Sequence, residues 1–426
     1  MLSPIAEVRR DEVASALLLT LIMFLILAAY YMLKTAREVF ILSEGGAEVK
    51  SYSSAGQALL LLVLVPAYGA FASRVNRVQL VQWVTLFFAS HLLLFLAALG
   101  AGWHVGIAYF LWTGIFNLMV IAQYWAFAAD LYTEEQGKRI FPLVGVGSSL
   151  GAWAGSMRAG QIVENIGTSR LLVAAAVILT ITAGLARLVN RLRPRDEHPA
   201  AAAAVEKPLG RENGFAMIFA DRYLLLIAAL MVVLNIVNTS GEYLFGRYVV
   251  EAANAAHGTG PETAAARQEM IGSTYSRLFS TVNLAGFLLQ MFVVSRVFKF
   301  LGVGKAMFIH PIVALAGYLL MLRAPSINFM AYLKIADNSI DYSLGNTTKQ
   351  ALWLPTSREA KYKAKQAVDS FFVRTGDVLQ AGIVFTGERL AFAVPAFAAV
   401  NVVLTIVWLA VAVLLNRELR KKSPGT

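Results

Sequence analysis

Near the amino terminus, a run of twenty uncharged residues, Ala14 to Leu33, ends directly at a group of charged side chains. A helix of this length crosses the hydrocarbon core of a bilayer. Lys34, Arg37 and Glu38 follow the run, and apolar sequence resumes behind them. A charge within a span costs about 2.5–3.5 kcal/mol on insertion scales and usually serves a polar pathway or a binding site. The stretch therefore predicts a membrane-spanning helix with functional charges near its end.

Comparable apolar runs recur along the 426 residues, of which 58% are hydrophobic and only 15% are charged. This composition excludes an ordinary soluble globular protein. We expect an all-α integral membrane protein with about twelve transmembrane helices. The predicted spans are 14–42, 53–72, 79–99, 105–131, 140–163, 170–190, 222–246, 271–295, 303–322, 327–348, 366–386 and 391–415. The first is too long for a signal peptide and no small-residue cleavage site follows it, so we expect it to be retained.

Basic residues outside the spans lie mostly on one side of the predicted topology. The amino terminus, the loops after even-numbered spans and the carboxyl terminus hold 25 Lys and Arg. The opposite loops hold six, namely Lys50, Arg170, Arg247, Arg267, Arg323 and Arg389. The positive-inside rule then predicts that both termini are cytoplasmic. Because the formal net charge of +11 is spread over many short loops, it favours contact with lipid headgroups and disfavours nucleic-acid binding.

The residues that carry enzyme chemistry are missing from the sequence. The chain has no Cys, which excludes disulfides and thiolate metal sites, and its five His residues, His310 among them, are scattered without ligand spacing. No phosphate loop, zinc-protease motif or nucleophile elbow is present. We therefore expect no enzyme, no cofactor and no metal site.

The longest predicted cytoplasmic loop, residues 191–221, divides the spans six and six. An amino-terminal half, 1–190, and a carboxy-terminal half, 222–426, lie on either side. Two pseudo-symmetric parallel halves joined by a cytoplasmic loop are the architecture of the major facilitator superfamily.

Short echoes between the halves favour a duplicated six-helix unit. Residues 34–40 resemble 238–244, and 73–77 resemble 295–299, at matching topological positions. The segment from Gly69 to Arg77 also partly matches the loop between spans two and three in that superfamily. It is either a latch between helix ends and acidic partners or plain positive-inside anchoring.

The charges after the first apolar run form a candidate solute site. Lys34 and Glu38 are one helical turn apart and can pair, which leaves Arg37 to meet a solute. A guanidinium offers a planar fork that suits carboxylate or phosphate. The alternative is a cluster that snorkels to the interface, and the apolar residues after Glu38 disfavour it.

Span ten carries Lys334, Asp337, Asn338 and Asp341 along one helical stripe. A stripe of alternating charge can remain neutral inside a bundle. It is a candidate for substrate binding, for a gate that breaks and reforms, or for a purely structural network. A buried Asp341 or Asp377 is also a candidate carrier of a coupling proton.

Other polar residues in the spans are candidates with weaker signals. Arg374 and Asp377, three residues apart, can neutralise each other, and Glu242 is expected to pair with Arg277 or with Arg37. Arg158 follows a series of small residues that favours close helix packing, and it is a candidate contact for an anion. Gln57 is a further polar span position.

Three stretches together resemble the ATP/ADP translocase family of plastids and intracellular bacteria. The first is Tyr30 to Glu38, which is similar to the family's Tyr-x-x-Leu-Arg-x-x-Lys-Asp. The second runs from Tyr124 to Ala128 and continues at Lys138 to Gly147. It resembles Phe-Trp-x-Phe-Ala followed by Lys-Lys-Phe-Tyr-Pro-Leu-Phe-Gly-x-Gly. The third, Asp341 to Leu344 with 363–369 behind it, resembles Lys-Tyr-Ser-Leu and Lys-Gly-Lys-Ala-Ala-Ile-Asp.

This resemblance implies a major-facilitator-like fold and alternating access, and it places Arg37 where the family has a Lys important for nucleotide transport. Other positions depart from the pattern. Thr113 and Asn238 stand where the family carries acids, and Asp341 and Asp377 stand where it carries Lys. Two changes from basic to acidic disfavour a polyphosphate.

We therefore expect a secondary active transporter for an anionic or nucleotide-like small solute, in the inner membrane of a bacterium. Nucleotide exchange proper and a non-transporting membrane sensor are the alternatives. Membrane lipids are the other expected partners, and the chain is expected to be a monomer. The candidate solute contacts are Arg37, Lys34, Gln57, Arg158 and Lys334. The candidate gating or coupling residues are Glu38, Glu242, Arg277, Asp337, Asp341, Arg374 and Asp377.

Overall fold

The computed structural model describes residues 9, 12–72, 77–132, 134–192, 214–323, 326–357 and 359–422. This part of the chain is almost entirely helical and contains no strand. The helices are α1 (Val13–Ala72), α2 (Arg77–Gly100), α3 (Gly106–Phe116), α4 (Ala122–Leu131), α5 (Glu134–Ile166), α6 (Ser169–Leu192), α7 (Gly214–Ala220), α8 (Arg222–His257), α9 (Ala264–Phe292), α10 (Val294–Ala306), α11 (Ile309–Arg323), α12 (Ile327–Ile340), α13 (Asn346–Ala351), α14 (Lys365–Ala367), α15 (Val373–Arg389) and α16 (Val394–Lys422).

Each of the twelve predicted spans overlaps at least one of these helices, which confirms an all-α membrane protein. The number twelve is not confirmed. In the described residues, seven helices are long and apolar enough to cross a membrane, or eight if the bent pair Pro261–Phe292 and Val294–Ala306 is one span. Helix α11 is apolar but short. The helices of the tenth and eleventh predicted spans are less apolar because they carry the charged candidates.

Helix α1 contains the first two predicted spans and the segment between them. It turns at Gly46, whose φ of 72° lies in the left-handed region that a residue with a Cβ rarely adopts. The loop expected over 43–52 is therefore wrong. As a consequence Lys50, counted above among the outer-loop residues, lies on a helix and is only 7% exposed.

Four π-helical turns interrupt the regular helices. They are Asn117–Ile121 between α3 and α4, Asp341–Gly345 between α12 and α13, and Ala360–Ala364 and Val368–Phe372 around α14. Such turns are rare and frequently lie at functional sites, because the extra residue changes the direction of neighbouring side chains. The turn at Asp341 falls within the stripe of charges that the sequence singled out.

The described residues form two compact units, each with segments from both predicted halves of the chain. Unit 1 takes its residues from Met1–Glu44, Val63–Lys207 and His257–Leu284, and unit 2 from Gly45–Leu62, Pro208–Ala256 and Ala285–Thr426. The half boundaries 1–190, 191–221 and 222–426 stay a prediction. Most of the inter-half loop, 193–213, and the middle of the Gly69 to Arg77 segment, 73–76, lie outside the described residues.

Unit 1 is built around aromatic rings and a close helix pair. The rings of Phe88, Trp112 and Phe116 lie 5.4–5.7 Å apart in the buried core. Along α5, glycines at positions 147, 151 and 155 face α1 at successive turns. A Cβ at Gly151 would lie only 2.1 Å from the Phe24 carbonyl oxygen. The small residues therefore allow close packing, as the sequence predicted.

Candidate solute and coupling site

Lys334 of α12 is fully buried, and oxygen atoms surround its ammonium group. Nζ donates to Asn238 Oδ1 at 3.0 Å and to Asp337 Oδ2 at 3.2 Å, and it lies 3.2 Å from Glu242 Oε1. An uncompensated buried charge would be very costly. These three oxygen contacts, two of them from α8, satisfy the donors of the ammonium group and hold α8 against α12.

Glu242 joins a second cation to this group. Its Oε2 lies 3.6 Å from Nζ of Lys50, and its Oε1 accepts from the side-chain amide of Asn338 at 3.2 Å. The four charged residues Lys50, Glu242, Lys334 and Asp337 alternate in sign, and their formal charges sum to zero. We call these four residues the buried charge cluster. Its neutrality explains how unit 2 accommodates so many charges.

His310 of α11 extends the cluster toward a further ion pair. Its Nε2 lies 2.8 Å from Asp337 Oδ1, and its Nδ1 lies 3.9 Å from Asp341 Oδ1. Asp341 in turn accepts from Lys349 Nζ at 3.0 Å. The imidazole is 5% exposed and packs edge-on against the Trp408 ring. A row of charged side chains, with His310 between Asp337 and Asp341, thus runs through unit 2 from Lys50 to Lys349.

A polar cavity of about 320 Å³ opens beside this row within unit 2. Its volume lies in the range of small-molecule sites. Four carboxamides, three charged side chains and four apolar side chains line it: Asn235, Asn238, Asn346, Gln350, Asp341, Lys349, Asp369, Met231, Leu234, Trp353 and Val373. Asn238 also touches Lys334, and Asp341 also faces His310, so the cavity meets the row of charges at two points.

The predicted pair between Arg374 and Asp377 is confirmed, at 3.3 Å. Asp377 also accepts from Asn235 Nδ2 at 2.8 Å, and the same amide group donates to the Val373 carbonyl oxygen. Asn235 lines the cavity as well. Asn235 therefore connects Asp377 to the cavity wall.

The charged candidates after the first apolar run lie in unit 1. Glu38 is 1% exposed and pairs with its neighbour Arg37, a partner that the sequence did not predict. The Arg37 guanidinium also lies 4.7 Å from the centre of the Phe110 ring, and the Lys34 ammonium lies 4.3 Å from that of Phe279. Both cations therefore stand over aromatic faces.

Three remaining candidates lie outside these clusters. Arg158 is exposed and donates to Gln161 of its own helix at 2.7 Å. Arg277 is 82% exposed and lies 3.6 Å from Glu164, which differs from the partner Glu242 expected above. Gln57 is half-buried in unit 2.

Sequence reasoning missed His310, Lys349 and the burial of Lys50. Lys50 was placed in a loop because the helix was thought to end before it. His310 shows no ligand spacing in the sequence, and its partners Asp337 and Asp341 lie 27 and more residues away in the chain. A signal was available for Lys349, which follows Asp341 by eight residues and lies one residue beyond the end of the same predicted span. Among the described residues, no group of three or more His, Asp or Glu could hold a metal ion.

No protein-family model matches the chain. The ADP,ATP carrier protein 1 of Chlamydia trachomatis is 25% identical over 333 residues, which cover 71% of this chain and 62% of the carrier. The ADP,ATP carrier protein 4 of Rickettsia felis is 24% identical over 452 residues, or 87% of this chain and 83% of the carrier. The chain is thus similar in sequence to these ADP,ATP carriers. Its match spans less than two thirds of the length of the Chlamydia carrier.

Solved transporter structures share the fold of this chain. The crystal structure of a bacterial homolog of the human lysosomal transporter Spinster matches with a TM-score of 0.63 at 15% identity, and the match covers 98% of this chain and 99% of that chain. The nucleoside transporter NupG matches with a TM-score of 0.59 at 14% identity, covering 93% and 98%. The resemblance to the ATP/ADP translocase family and the major-facilitator-like fold are thereby confirmed. These proteins are transporters and not enzymes, as expected.

Proposed function

We propose that this chain, which is similar in sequence to the ADP,ATP carriers, is a secondary transporter that moves nucleotide-like solutes by alternating access. The observation that carries the proposal is the polar cavity of unit 2, which touches the row of buried charges at Asn238 and Asp341. A solute in this cavity would lie against groups whose pairing can change. Such contact is what a transporter needs if solute binding is to shift its conformational equilibrium.

The lining of the cavity favours a solute with little charge at this position. Each of the two lining carboxylates already has a cationic partner. Asp341 accepts from Lys349 at 3.0 Å, and Asp369 accepts from Lys365 at 2.7 Å. A polyphosphate would have to break one of these pairs. The four lining carboxamides offer donors and acceptors that suit the edge of a nucleobase or the hydroxyls of a sugar. We infer a nucleoside, or a nucleotide with few phosphates.

Exchange of ATP for ADP is the second candidate, because the relatives carry that name. The same exchange is disfavoured by Asp341 and Asp377, which stand where the family resemblance places Lys. Within unit 1, Arg37 and Lys34 are proposed as a separate contact for an anionic solute. Arg158, Gln57 and Lys334 are proposed as further solute contacts. Glu38, Glu242, Arg277, Asp337, Asp341, Arg374 and Asp377 are proposed to gate or couple.

The cellular setting is part of the proposal. We infer two six-helix halves, 1–190 and 222–426, in a bacterial inner membrane, with both termini in the cytoplasm. Membrane lipids surround a monomer. The support for the cytoplasmic termini is the 25-to-six distribution of Lys and Arg over the predicted loops.

The first test is thermal stabilisation of the detergent-purified protein by adenosine, AMP, ADP and ATP, followed by uptake of the labelled compounds into proteoliposomes. Adenosine or AMP is expected to stabilise the protein more than ATP does. Stabilisation by ATP and exchange of ATP for ADP would establish the second candidate instead. If none of the four compounds stabilises the protein or is taken up, the transport of nucleotide-like solutes is refuted.

Two cavity amides allow a sharper version of this test. Asn346 and Gln350 line the cavity on α13 and are exposed there. The double variant Asn346→Ala/Gln350→Ala is expected to weaken solute binding about 5- to 100-fold, because each lost hydrogen bond is worth about 0.5–1.5 kcal/mol. Gln366→Ala, an exposed amide that is not part of this cavity lining, is the matched control and should bind normally.

Arg37→Ala tests the cation in unit 1. It should weaken binding of AMP more than binding of adenosine, because only AMP carries the anionic group that a guanidinium would hold. Equal affinities of the wild type and the variant for AMP would remove Arg37 from the proposed site.

A further inference from the structure

His310 is buried between two carboxylates of the tenth predicted span. Asp337 touches its Nε2 at 2.8 Å, and Asp341 lies 3.9 Å from its Nδ1. Asp337 belongs to the buried charge cluster, and Asp341 lines the solute cavity. Histidine is the side chain that ordinarily changes charge near neutral pH, and it can accept a proton on one ring nitrogen while it releases one from the other. The ring therefore joins the two sites.

The space between the ring and Asp341 is suited to proton passage. A distance of 3.9 Å is too long for a direct hydrogen bond. A small, mostly apolar cavity of about 20 Å³ lies beside the ring, and its lining includes His310, Gly345 and Lys349 but not Asp341. A Cβ at Gly345 would lie 3.2 Å from Asp341 Oδ1 and 3.4 Å from His310 Nδ1. The glycine in the π turn thus leaves this space open.

The charged groups around the imidazole are few. Helix α12 contributes Asp337, with Lys334 behind it, the π turn contributes Asp341, and α13 contributes Lys349. Helix α16 presents the uncharged ring of Trp408. The side chains that α8 and α10 bring to the small cavity beside the ring are apolar. The charged groups nearest the ring are therefore its two carboxylates and their lysines.

We propose that His310 passes protons between Asp341 and Asp337, and that it thereby couples solute transport to a proton gradient. This inference rests on the transport function proposed above. A proton leaves the carboxyl group of Asp341 and binds His310 Nδ1 when a small movement brings the two atoms within hydrogen-bond distance, while the proton on Nε2 passes to Asp337. The ring is neutral again after the transfer, and one proton has moved from the cavity to the buried charge cluster.

The transfer changes the charge of that cluster from zero to +1. Neutral Asp337 no longer holds Lys334, whose ammonium keeps only Glu242 as an ionic partner. A cluster with one surplus positive charge favours a solute with a negative charge, and by thermodynamic reciprocity an anionic solute favours uptake of the proton. Proton and anion would then move in the same direction.

A test that needs no solute uses the contact between His310 and Trp408, whose ring centres lie 4.8 Å apart. A protonated imidazole quenches the fluorescence of a neighbouring indole. We expect a pH-dependent step in the tryptophan fluorescence of the wild type. The step should be missing in His310→Gln and also in Trp408→Phe, which identifies the tryptophan responsible. A wild type without the step would overturn the proposal, whatever it transports.

The second test measures accumulation of labelled AMP and adenosine in proteoliposomes with the membrane potential clamped at zero. For one proton per solute, a gradient of one pH unit should raise AMP accumulation about tenfold in the wild type. His310→Gln should lose this accumulation but still exchange internal for external AMP at equal pH. Accumulation that survives in His310→Gln, or a wild type that exchanges AMP without responding to the gradient, would overturn the coupling alone. If neither probe exchanges, the transport function fails and the coupling fails with it.

Gly345→Ala keeps every titratable group and fills only the space between His310 and Asp341. It should reduce gradient-driven accumulation several-fold. The matched control is Gly382→Ala on α15 of the same unit, where an added Cβ meets nothing within 4 Å. Equal AMP accumulation in the two glycine variants would argue against proton passage through this space. This comparison remains valid even if His310→Gln does not fold.

Discussion

At the residue scale, the identity of the charged candidates came from the sequence but their partners did not. The sequence placed Lys334 and Asp337 on one helical face, and the structure confirms their contact at 3.2 Å. The other partners of Lys334 belong to α8, and Asn238 lies 96 residues away in the chain. Local periodicity predicts a pair within one helix, whereas contacts between helices depend on packing that no short pattern encodes.

The first prediction concerns the burial of Lys334. Lys334→Met should lower the free energy of unfolding by about 3–5 kcal/mol, because Glu242 and Asp337 would lose their central cation inside the protein. Replacing Asp337 by Asn in the same chain should recover part of the loss. Thermal denaturation of the purified protein measures both effects. Lys421→Met is the control, since this lysine is 68% exposed and its surface pair contributes little. A similar loss in both single variants would contradict the prediction.

A second prediction concerns pH and the start of α8. Burial alone would raise the pKa of the Asp221 carboxyl, but hydrogen bonds from Lys422 and from the Tyr223 N–H hold that pKa below its usual value. A lowered pKa in the folded state contributes stability above the pKa of the unfolded state, and this stability is lost as the pH falls through the folded value.

Asp221→Asn isolates the charge, because Asn caps a helix about as well as Asp. The variant should be slightly less stable than the wild type at pH 7. The difference should be well under 1 kcal/mol, since the side chain is 38% exposed, and it should vanish below the usual pKa range of Asp. Unfolding curves at several pH values measure it. A difference that grows on acidification would show that the carboxylate is not stabilising.

At the scale of elements, the apolar runs predicted where helices lie and the small residues predicted where two of them approach. The sequence did not predict where the helices are interrupted. Helix α1 continues through a single turn at Gly46, and a π turn interrupts the charged stripe after Asp337. Both features depend on a few residues whose conformation is set by neighbouring helices, so composition did not indicate them.

The element-scale prediction concerns the contact between α5 and α1. Gly151→Ala should lower the free energy of unfolding by about 1–3 kcal/mol, because its Cβ would meet the backbone of Phe24. Gly145→Ala on the same helix meets nothing within 4 Å and should be neutral or slightly stabilising. Thermal denaturation of the two variants side by side decides the matter. Equal stability of the two variants would mean that α5 and α1 can move apart without loss of free energy of unfolding.

At the scale of the whole molecule, hydropathy and charge asymmetry predict how the chain lies in a membrane. Green fluorescent protein fused after Thr426 should fluoresce, because that end is predicted to be cytoplasmic. Alkaline phosphatase inserted after Gly167, in the loop that follows the fifth predicted span, should be active, because that loop is predicted to face outward. Reporter activities with the opposite pattern would reverse the orientation inferred from the basic residues.

The sequence by itself determined the class of protein and the residues that deserved study. Long apolar runs exclude a soluble fold, and a charge within such a run is costly at any position. Both conclusions can therefore be drawn without knowledge of how the helices pack. Only the tertiary structure decided that His310, dismissed from its spacing, lies between Asp337 and Asp341, and that the cavity touches the charge row at both Asn238 and Asp341. Burial cost is a property of each residue, whereas the distance between two atoms is a property of how the helices pack.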